Sequence, residues 1–357
     1  MAVNGTPQTD DLVNALRVVQ DPDLHKDIVT LNMVREMTFE KGTAAFQLVL
    51  TTPACPMKEH LENECRKALL AVPGVQAVEI DTTAEVAKRM APEAAEVLMD
   101  VKNVLFVASG KGGVGKSTTA VNLAIALAQS GAEVGLLDAD VYGPNIPMMM
   151  GSQAQLRGAG NKVIPAEAYG ITLMSAGFVI KPEQAMIWRG PIVHRLLTQF
   201  LGDVHWGERD CLVVDLPPGT GDASLTLAQS IPGAGAVIVC TPQDVALSDA
   251  RKAIGMFQQL RVPILGIVEN MSYFLCPHCD ERTEIFSHGG ARQAAEAMGV
   301  PFLGEVPLNV AIREGGDSGK PITATEPDSS LAAIYREVAG AVAQQISIAG
   351  QEGIVIN

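Results

Sequence analysis

Eight consecutive residues, Gly110-Lys111-Gly112-Gly113-Val114-Gly115-Lys116-Ser117, constrain the fold of this chain more than any other stretch. They follow the apolar run Val104–Ala108 and open a segment whose Val121, Ala124, Ile125 and Ala128 share one helical face. The pattern calls for a strand, a tight glycine-rich loop and a helix in that order. Glycines let the backbone curl with its N–H groups pointing inward, and the helix N-terminus adds roughly half a positive charge, so the loop suits phosphate oxygens. In this reading Gly110, Gly112, Gly113, Val114, Gly115 and Thr118 line the cradle. Lys116 reaches the β- and γ-phosphates of a nucleoside triphosphate, and the Ser117 hydroxyl binds Mg2+. The second lysine, Lys111, is not needed to cradle phosphate within one chain.

From residue 103 onward, apolar runs alternate with helical stretches. Val104–Ala108, Val134–Leu137, Leu212–Val214, Ala236–Val239 and Ile264–Val268 are short, largely β-branched and bounded by turn residues. Strands buried on both faces look like this, so residues 103–357 read as an α/β domain: a largely parallel sheet flanked by helices. Acids stand at the ends of these runs. Asp138 and Asp140 follow the second, and Asp215 ends the third and opens Asp215-Leu216-Pro217-Pro218-Gly219-Thr220-Gly221-Asp222. An acid after a buried strand is the usual partner of Mg2+ water in a nucleotide site. The Pro-Pro-Gly-Thr-Gly stretch has the loop chemistry of a switch that senses the γ-phosphate. For Asp138 and Asp222 a plain helix-capping role stays open.

Residues 1–81 read as a separate small α+β domain. A helix carrying Leu12, Leu16 and Val19 stops at Asp21-Pro22, and strands are expected over Ile28–Val34, Ala45–Leu50 and Val75–Ile80. Between the last two, Met57, Leu61, Cys65 and Leu69 share a helical face. Residues 82–102, rich in Ala and charge, read as a linker. The formal net charge of −14 argues against nucleic acid and anionic membrane as partners. The start MAVNGTPQTDDL lacks a signal peptide, and no run of eighteen apolar residues is present, so a cytoplasmic protein is expected.

Six cysteines in 357 residues are too few for a disulfide framework. Cys65, Cys211 and Cys240 sit in apolar patterns and read as small core residues. Cys55 precedes Pro56 at an expected helix start, where the helix dipole would lower its pKa; a reactive and a buried role both remain open. Cys276-Pro277-His278-Cys279 lies in a loop beyond Ile264–Val268 and offers two thiolates to a metal. Three readings stand: a redox dithiol, zinc completed by His288 or a second subunit, and a four-thiolate iron–sulfur cluster shared between two chains.

Lys-Gly-Gly-Val-Gly-Lys-Ser resembles the deviant phosphate loop of MinD/ParA-type ATPases. That resemblance implies that Lys111 crosses a dimer interface to the partner's nucleotide, that Asp140 orients the attacking water, and that Asp138 lies near the metal's water shell. Further segments resemble the Mrp/ApbC family of ATP-binding iron–sulfur cluster carriers: Leu137–Asn145, Trp188-Arg189-Gly190-Pro191, Asp215–Asp222, Asn270-Met271-Ser272-Tyr273-Phe274 and Cys276–Cys279. This implies a slow ATPase that is a homodimer, with Cys276 and Cys279 ligating a labile [4Fe–4S] cluster across the interface. It also implies that Asn270 recognises adenine, that Pro307 lies near the base, and that apo iron–sulfur proteins and assembly factors are the partners. Asp280 stands where the family often has Gly, adding negative charge beside the cluster. Residues 11–80 resemble a small domain found in iron–sulfur assembly factors, through Asp21-Pro22-Asp23, Asp27-Ile28-Val29 and Thr51–Pro56.

Two rivals follow from the same loop. A positioning or partitioning ATPase would need a basic membrane- or DNA-binding face, yet residues 329–357 hold only Arg336, Glu337 and Glu352 as charged side chains. A scaffold using nucleotide as a structural ligand, with zinc at the cysteine pair, would need no hydrolysis.

Overall fold

The computed structural model describes residues 7–88, 98, 100–179, 190–276, 278, 279 and 281–352, in two compact units, residues 1–87 and 88–357. Trp188, Arg189, Pro277 and Asp280, singled out in the sequence, lie outside the described residues.

In the first unit, helix α1 (Thr9–Ala15) runs into a 3-10 turn, Leu16–Val18. A two-residue ribbon follows, β1 (Gln20–Asp21) with β2 (Lys26–Asp27), antiparallel. Then come β3 (Val34–Glu40), β4 (Thr43–Leu50), helix α2 (Lys58–Leu70) and β5 (Ala77–Ala84). Strand β4 pairs antiparallel with β3 and parallel with β5. Leu61, Cys65 and Leu69 of α2 are buried in one core with Leu12, Leu16, Phe46 and Leu48.

Two expectations shift here. Residues 28–32, expected within a strand, form turns. The Asp27 carboxylate accepts from the Thr30 N–H at 2.8 Å and the Thr30 hydroxyl at 2.6 Å, and Asn32 has φ +56°. A short acid that bonds its own downstream backbone competes with a ladder and wins over β-branched propensity. Strand β5 also extends to Ala84, into the stretch read as linker.

Among the described residues the second unit holds a nine-stranded sheet. Its central strands are β6 (Val101–Ala108), β7 (Val134–Asp138), β11 (Ile171–Ser175), β12 (Arg209–Asp215), β13 (Gly235–Cys240) and β14 (Ile264–Leu275). They lie in the order β11-β7-β12-β6-β13-β14, all parallel. β10 (Ala166–Ala168) caps one edge antiparallel to β11; at the other, β14 pairs parallel with β16 (Phe302–Leu308) and antiparallel with β15 (Arg282–Thr283). A separate hairpin joins β8 (Arg157–Ala159) to β9 (Lys162–Ile164).

Helix α3 (Lys116–Gln129) follows the glycine loop, and among the described residues α4 (Ile146–Met149), α5 (Gly190–Gly202), α6 (Asp222–Ser230), α7 (Asp244–Gln259), α8 (Gly290–Met298), α9 (Val310–Ser318), α10 (Ile322–Thr325) and α11 (Ser330–Glu352) follow. Both faces of the sheet are covered. Val104, Phe106 and Ala108 share a core with residues of α5 and α7, where the Phe106 and Phe257 rings stack at 6.3 Å. Leu105 and Val107, equally buried, point the other way, where α3 packs on β6. Continuous apolar runs are what such two-sided burial requires.

Candidate functional site

Strand order assembles the site. β12 lies between β6 and β7, and its register sets Asp215 beside both Val107 and Asp138. The loop leaving β6 and the acids ending β7 and β12 therefore meet at the carboxyl edge of the sheet, where open α/β sheets bind ligands.

The loop is shaped by backbone need. Gly115 caps α3 with φ +81°, and a β-carbon there would lie 2.0 Å from the Asn270 side-chain nitrogen. Gly110 is as close to another element: its β-carbon would lie 2.2 Å from the Asp249 backbone in α7. Only glycine fits at either position. A cavity of about 450 Å³ opens over this loop. Its walls include Lys111, Gly112, Gly113, Gly115, Lys116, Ser117 and Thr118, joined by Asp140, Asn270 and Pro307. Residues scattered along the sequence are thus brought to one pocket. Met148 of α4 and Asn309, Arg313 and Asp317, at or in α9, close its far side; sequence reasoning did not single these out. Their one signal was Asn309, which caps α9 by accepting from the Ala311 N–H at 2.8 Å.

Within the site Lys116 and Asp215 form a buried ion pair. The Lys116 ammonium, 6% exposed, donates to Asp215 Oδ1 at 2.6 Å; Asp215 is 1% exposed. Its second oxygen, Oδ2, is buried with no hydrogen-bond partner among the described residues. Asp138 accepts from the Ser175 hydroxyl at 2.8 Å, from the Ile146 N–H at 3.2 Å and from the Asp140 N–H at 3.2 Å. Burial, then the nearby Asp215 carboxylate, pushes Asp138 up to about 8 against these bonds and the Lys116 charge. Burial likewise raises Asp140 above the usual carboxylate range. Asn270, 5% exposed, donates from its amide to the Val114 carbonyl at 2.8 Å, so the group expected to read adenine also braces the phosphate loop.

The cysteine pair sits on a hairpin. β14 runs past Asn270 to Leu275, and β15 returns beside it through two pairings, Phe274 with Thr283 and Leu275 with Arg282. Cys276 is half-buried and Cys279 exposed at the turn, where the Cys276 N–H donates to the Glu281 carbonyl at 3.0 Å. His288 lies within reach of two acids, its ring nitrogens 3.1 Å from Glu305 and 3.7 Å from Glu284. Glu269, His288 and Glu305 converge closely enough to hold a metal ion. The carboxylate of Glu269 is already engaged, however, accepting from Ser272 Oγ at 2.7 Å and from the Ala291 N–H at 2.7 Å. Arg282 and Arg292 face Glu305, which makes this an ion-pair network.

The other thiols divide as read from the sequence, with one correction. Cys65, Cys211 and Cys240 are buried, and burial pushes each up to about 12. Cys55 does not have the lowered pKa expected of a helix start. Helix α2 begins three residues later, and burial, helped by Asp21 and Asp23, raises the thiol despite hydrogen bonds from the backbone.

Residues 100–343 match the family described as NUBPL iron-transfer P-loop NTPase, within the ParA group, and residues 9–81 match an iron–sulfur cluster assembly protein family. The chain belongs to the iron-transfer P-loop NTPase family. It is 50% identical to an iron–sulfur cluster carrier protein of Synechocystis over 96% of this chain and 98% of that one. An iron–sulfur cluster transfer protein, NUBPL, of Dictyostelium discoideum is also 50% identical, over 72% of this chain and 81% of that one. Among solved structures, a nucleotide-binding protein of Archaeoglobus fulgidus in complex with ADP is 38% identical, with a TM-score of 0.59 over 67% of this chain and 94% of that one. The iron-transfer family favours the carrier reading over the positioning ATPase. Among the described residues no helix is long and apolar enough to cross a membrane.

Proposed function

We propose that this chain is a cytoplasmic, homodimeric ATPase that carries a [4Fe–4S] cluster on Cys276 and Cys279 of each copy and hands it to apo-proteins. The observation that carries the reading is continuity along β14: one strand carries Asn270, at the nucleotide pocket, and ends at Leu275, the residue before Cys276 at the cargo turn. The names of the 50%-identical relatives supply the cargo class. Two thiolates per copy are half of a four-thiolate set, which is why a second copy is part of the proposal.

The residues fit a metal–nucleotide. Among the described residues Asp215 Oδ2 is a buried acceptor without a partner, as an oxygen facing a metal-bound water would be, and the Lys116 ammonium that pairs with Asp215 also lies 3.3 Å from the Ser117 hydroxyl. In this proposal Ser117, Asp215 and Asp138 would hold Mg2+ and its waters, and the ion would supply positive charge to neutralise phosphate. Lys116 exchanges Asp215 for phosphate oxygens as nucleotide enters, Lys111 reaches the partner's nucleotide, and Asp140 orients water for a slow hydrolysis. Thr118 and the glycine amides bind phosphate, while Asn270 and Pro307 receive the base. Assembly factors and apo iron–sulfur proteins are the partners, and the acidic charge leaves out nucleic acid and membrane.

Anaerobic purification tests the reading through iron, sulfide and mass. Expected are four irons per two chains, broad absorption near ~400 nm, and a dimer. A colourless zinc protein, or a monomer with and without ATP, overturns it.

A further inference from the structure

The cysteine hairpin is poorly supported by its own backbone. β15 contributes two residues and two pairings, and a two-stranded ribbon that short is marginal by itself in water. Side chains supply what the ladder lacks. The Arg282 guanidinium stacks 4.0 Å over the Tyr273 ring, crossing from the return strand to β14. The same guanidinium lies 3.4 Å from Glu305 on β16, a carboxylate whose side chain is only 18% exposed. Glu305 is fixed from two more sides, by His288 at 3.1 Å and Arg292 at 3.8 Å. Burial works against its charge, but the His288 hydrogen bond and the charges of His288, Arg282 and Arg292 hold it below the usual carboxylate range. β16 is a parallel strand of the main sheet, so Glu305 is an anchored point and Arg282 the tether from it to the turn.

We propose that Glu305 and Arg282 are positioning residues for cargo: their ion pair fixes the separation and direction of Cys276 and Cys279, and thereby sets how firmly the pair holds an iron–sulfur cluster. The proposal rests on the reading of those cysteines as cluster ligands. Neither residue touches the cluster in it. Arg282 is three residues past Cys279, and Glu305 acts through Arg282. A carrier gains from such an arrangement because the grip on cargo is set by side chains at a sheet edge and can be eased without disturbing the core.

The test is reconstitution of the full chain with iron and sulfide without oxygen, followed by release of iron to a ferrous chelator. Wild type, Glu305→Gln, Arg282→Ala, Arg282→Lys, the Glu305→Gln/Arg282→Ala double variant and Cys276→Ser are compared. Expected is equal loading of wild type, Glu305→Gln and Arg282→Ala, with release about two- to fivefold faster in both variants, the scale of a partly exposed charge pair. The double variant should release no faster than Arg282→Ala alone, since the ion pair with Glu305 is already gone there. Arg282→Lys, which keeps a cation over Tyr273, should recover part of the retention, and nucleotide affinity should not change. Release at the wild-type rate in both single variants, or a multiplicative double variant, overturns the positioning role while leaving the ligand reading intact. Wild type that binds no more iron than Cys276→Ser overturns the ligand reading and the positioning role together.

Discussion

The nucleotide pocket and the cysteine hairpin stand on opposite physical footings, although β14 serves both. The pocket is set into the sheet: Lys116 and Asp215 are almost fully buried, Asp138 is fully so, and the Asp249 backbone at Gly110 and the Asn270 side chain at Gly115 leave no room for a β-carbon. The hairpin hangs at the sheet edge, with Cys279 exposed and a return strand two residues long. A site that must hold phosphate in one geometry gains from rigidity. A site that must take up a cluster and give it away gains from a shallow, adjustable grip. On the proposed reading, the contrast teaches that the fold spends its packing on the nucleotide and leaves the cargo to a few side chains.

The contrast is broken most severely at the thiols. Cys276→Ser or Cys279→Ser should remove essentially all bound cluster, read as iron and sulfide per chain, while ATP affinity stays at the wild-type value. A parallel loss of nucleotide binding would show that the two regions are one structural unit.

Lys116→Ala should act in reverse. Removing a charged donor to phosphate should weaken ATP binding roughly 10- to 100-fold by calorimetry. It should also destabilise the fold by about 3–5 kcal/mol in denaturant titrations, because Asp215 would be left as an unpaired buried charge. Cluster loading should persist.

A further prediction sharpens the electrostatics. Asp138 is raised from 3.8 to about 8, so the folded protein retains a proton that the unfolded chain releases in that window. Its contribution to stability is therefore present at acid pH and lost as pH rises from about 4 to 8. Thermal melts of the protein without nucleotide should show this decline, and Asp138→Asn should flatten it. An equal pH slope in the variant would place the titrating group elsewhere.

Much of the pocket was legible because its parts are local. The phosphate loop needs glycines, a lysine and a hydroxyl within eight residues, and Asp138 and Asp215 stand at the ends of apolar runs that only buried strands explain. The bond from Ser175 to Asp138 was not legible, because it depends on β11 lying next to β7, a neighbour relation set by topology. The Arg282–Glu305 tether was hidden for the same reason. Its two members are distant in sequence and meet only once β14, β15 and β16 have paired. The missed turn at residues 28–32 shows the opposite failure, where one acid bonding its own backbone outweighed an apolar stretch.

The central claim is that nucleotide governs a cluster held by these cysteines. Its most direct measurement is transfer of a [4Fe–4S] cluster from the reconstituted dimer to an apo-protein acceptor, followed anaerobically with and without ATP. The account predicts that ATP changes the transfer rate in wild type and leaves Lys116→Ala unmoved. Identical rates in wild type with and without ATP, or undiminished transfer by Cys276→Ser, would contradict it.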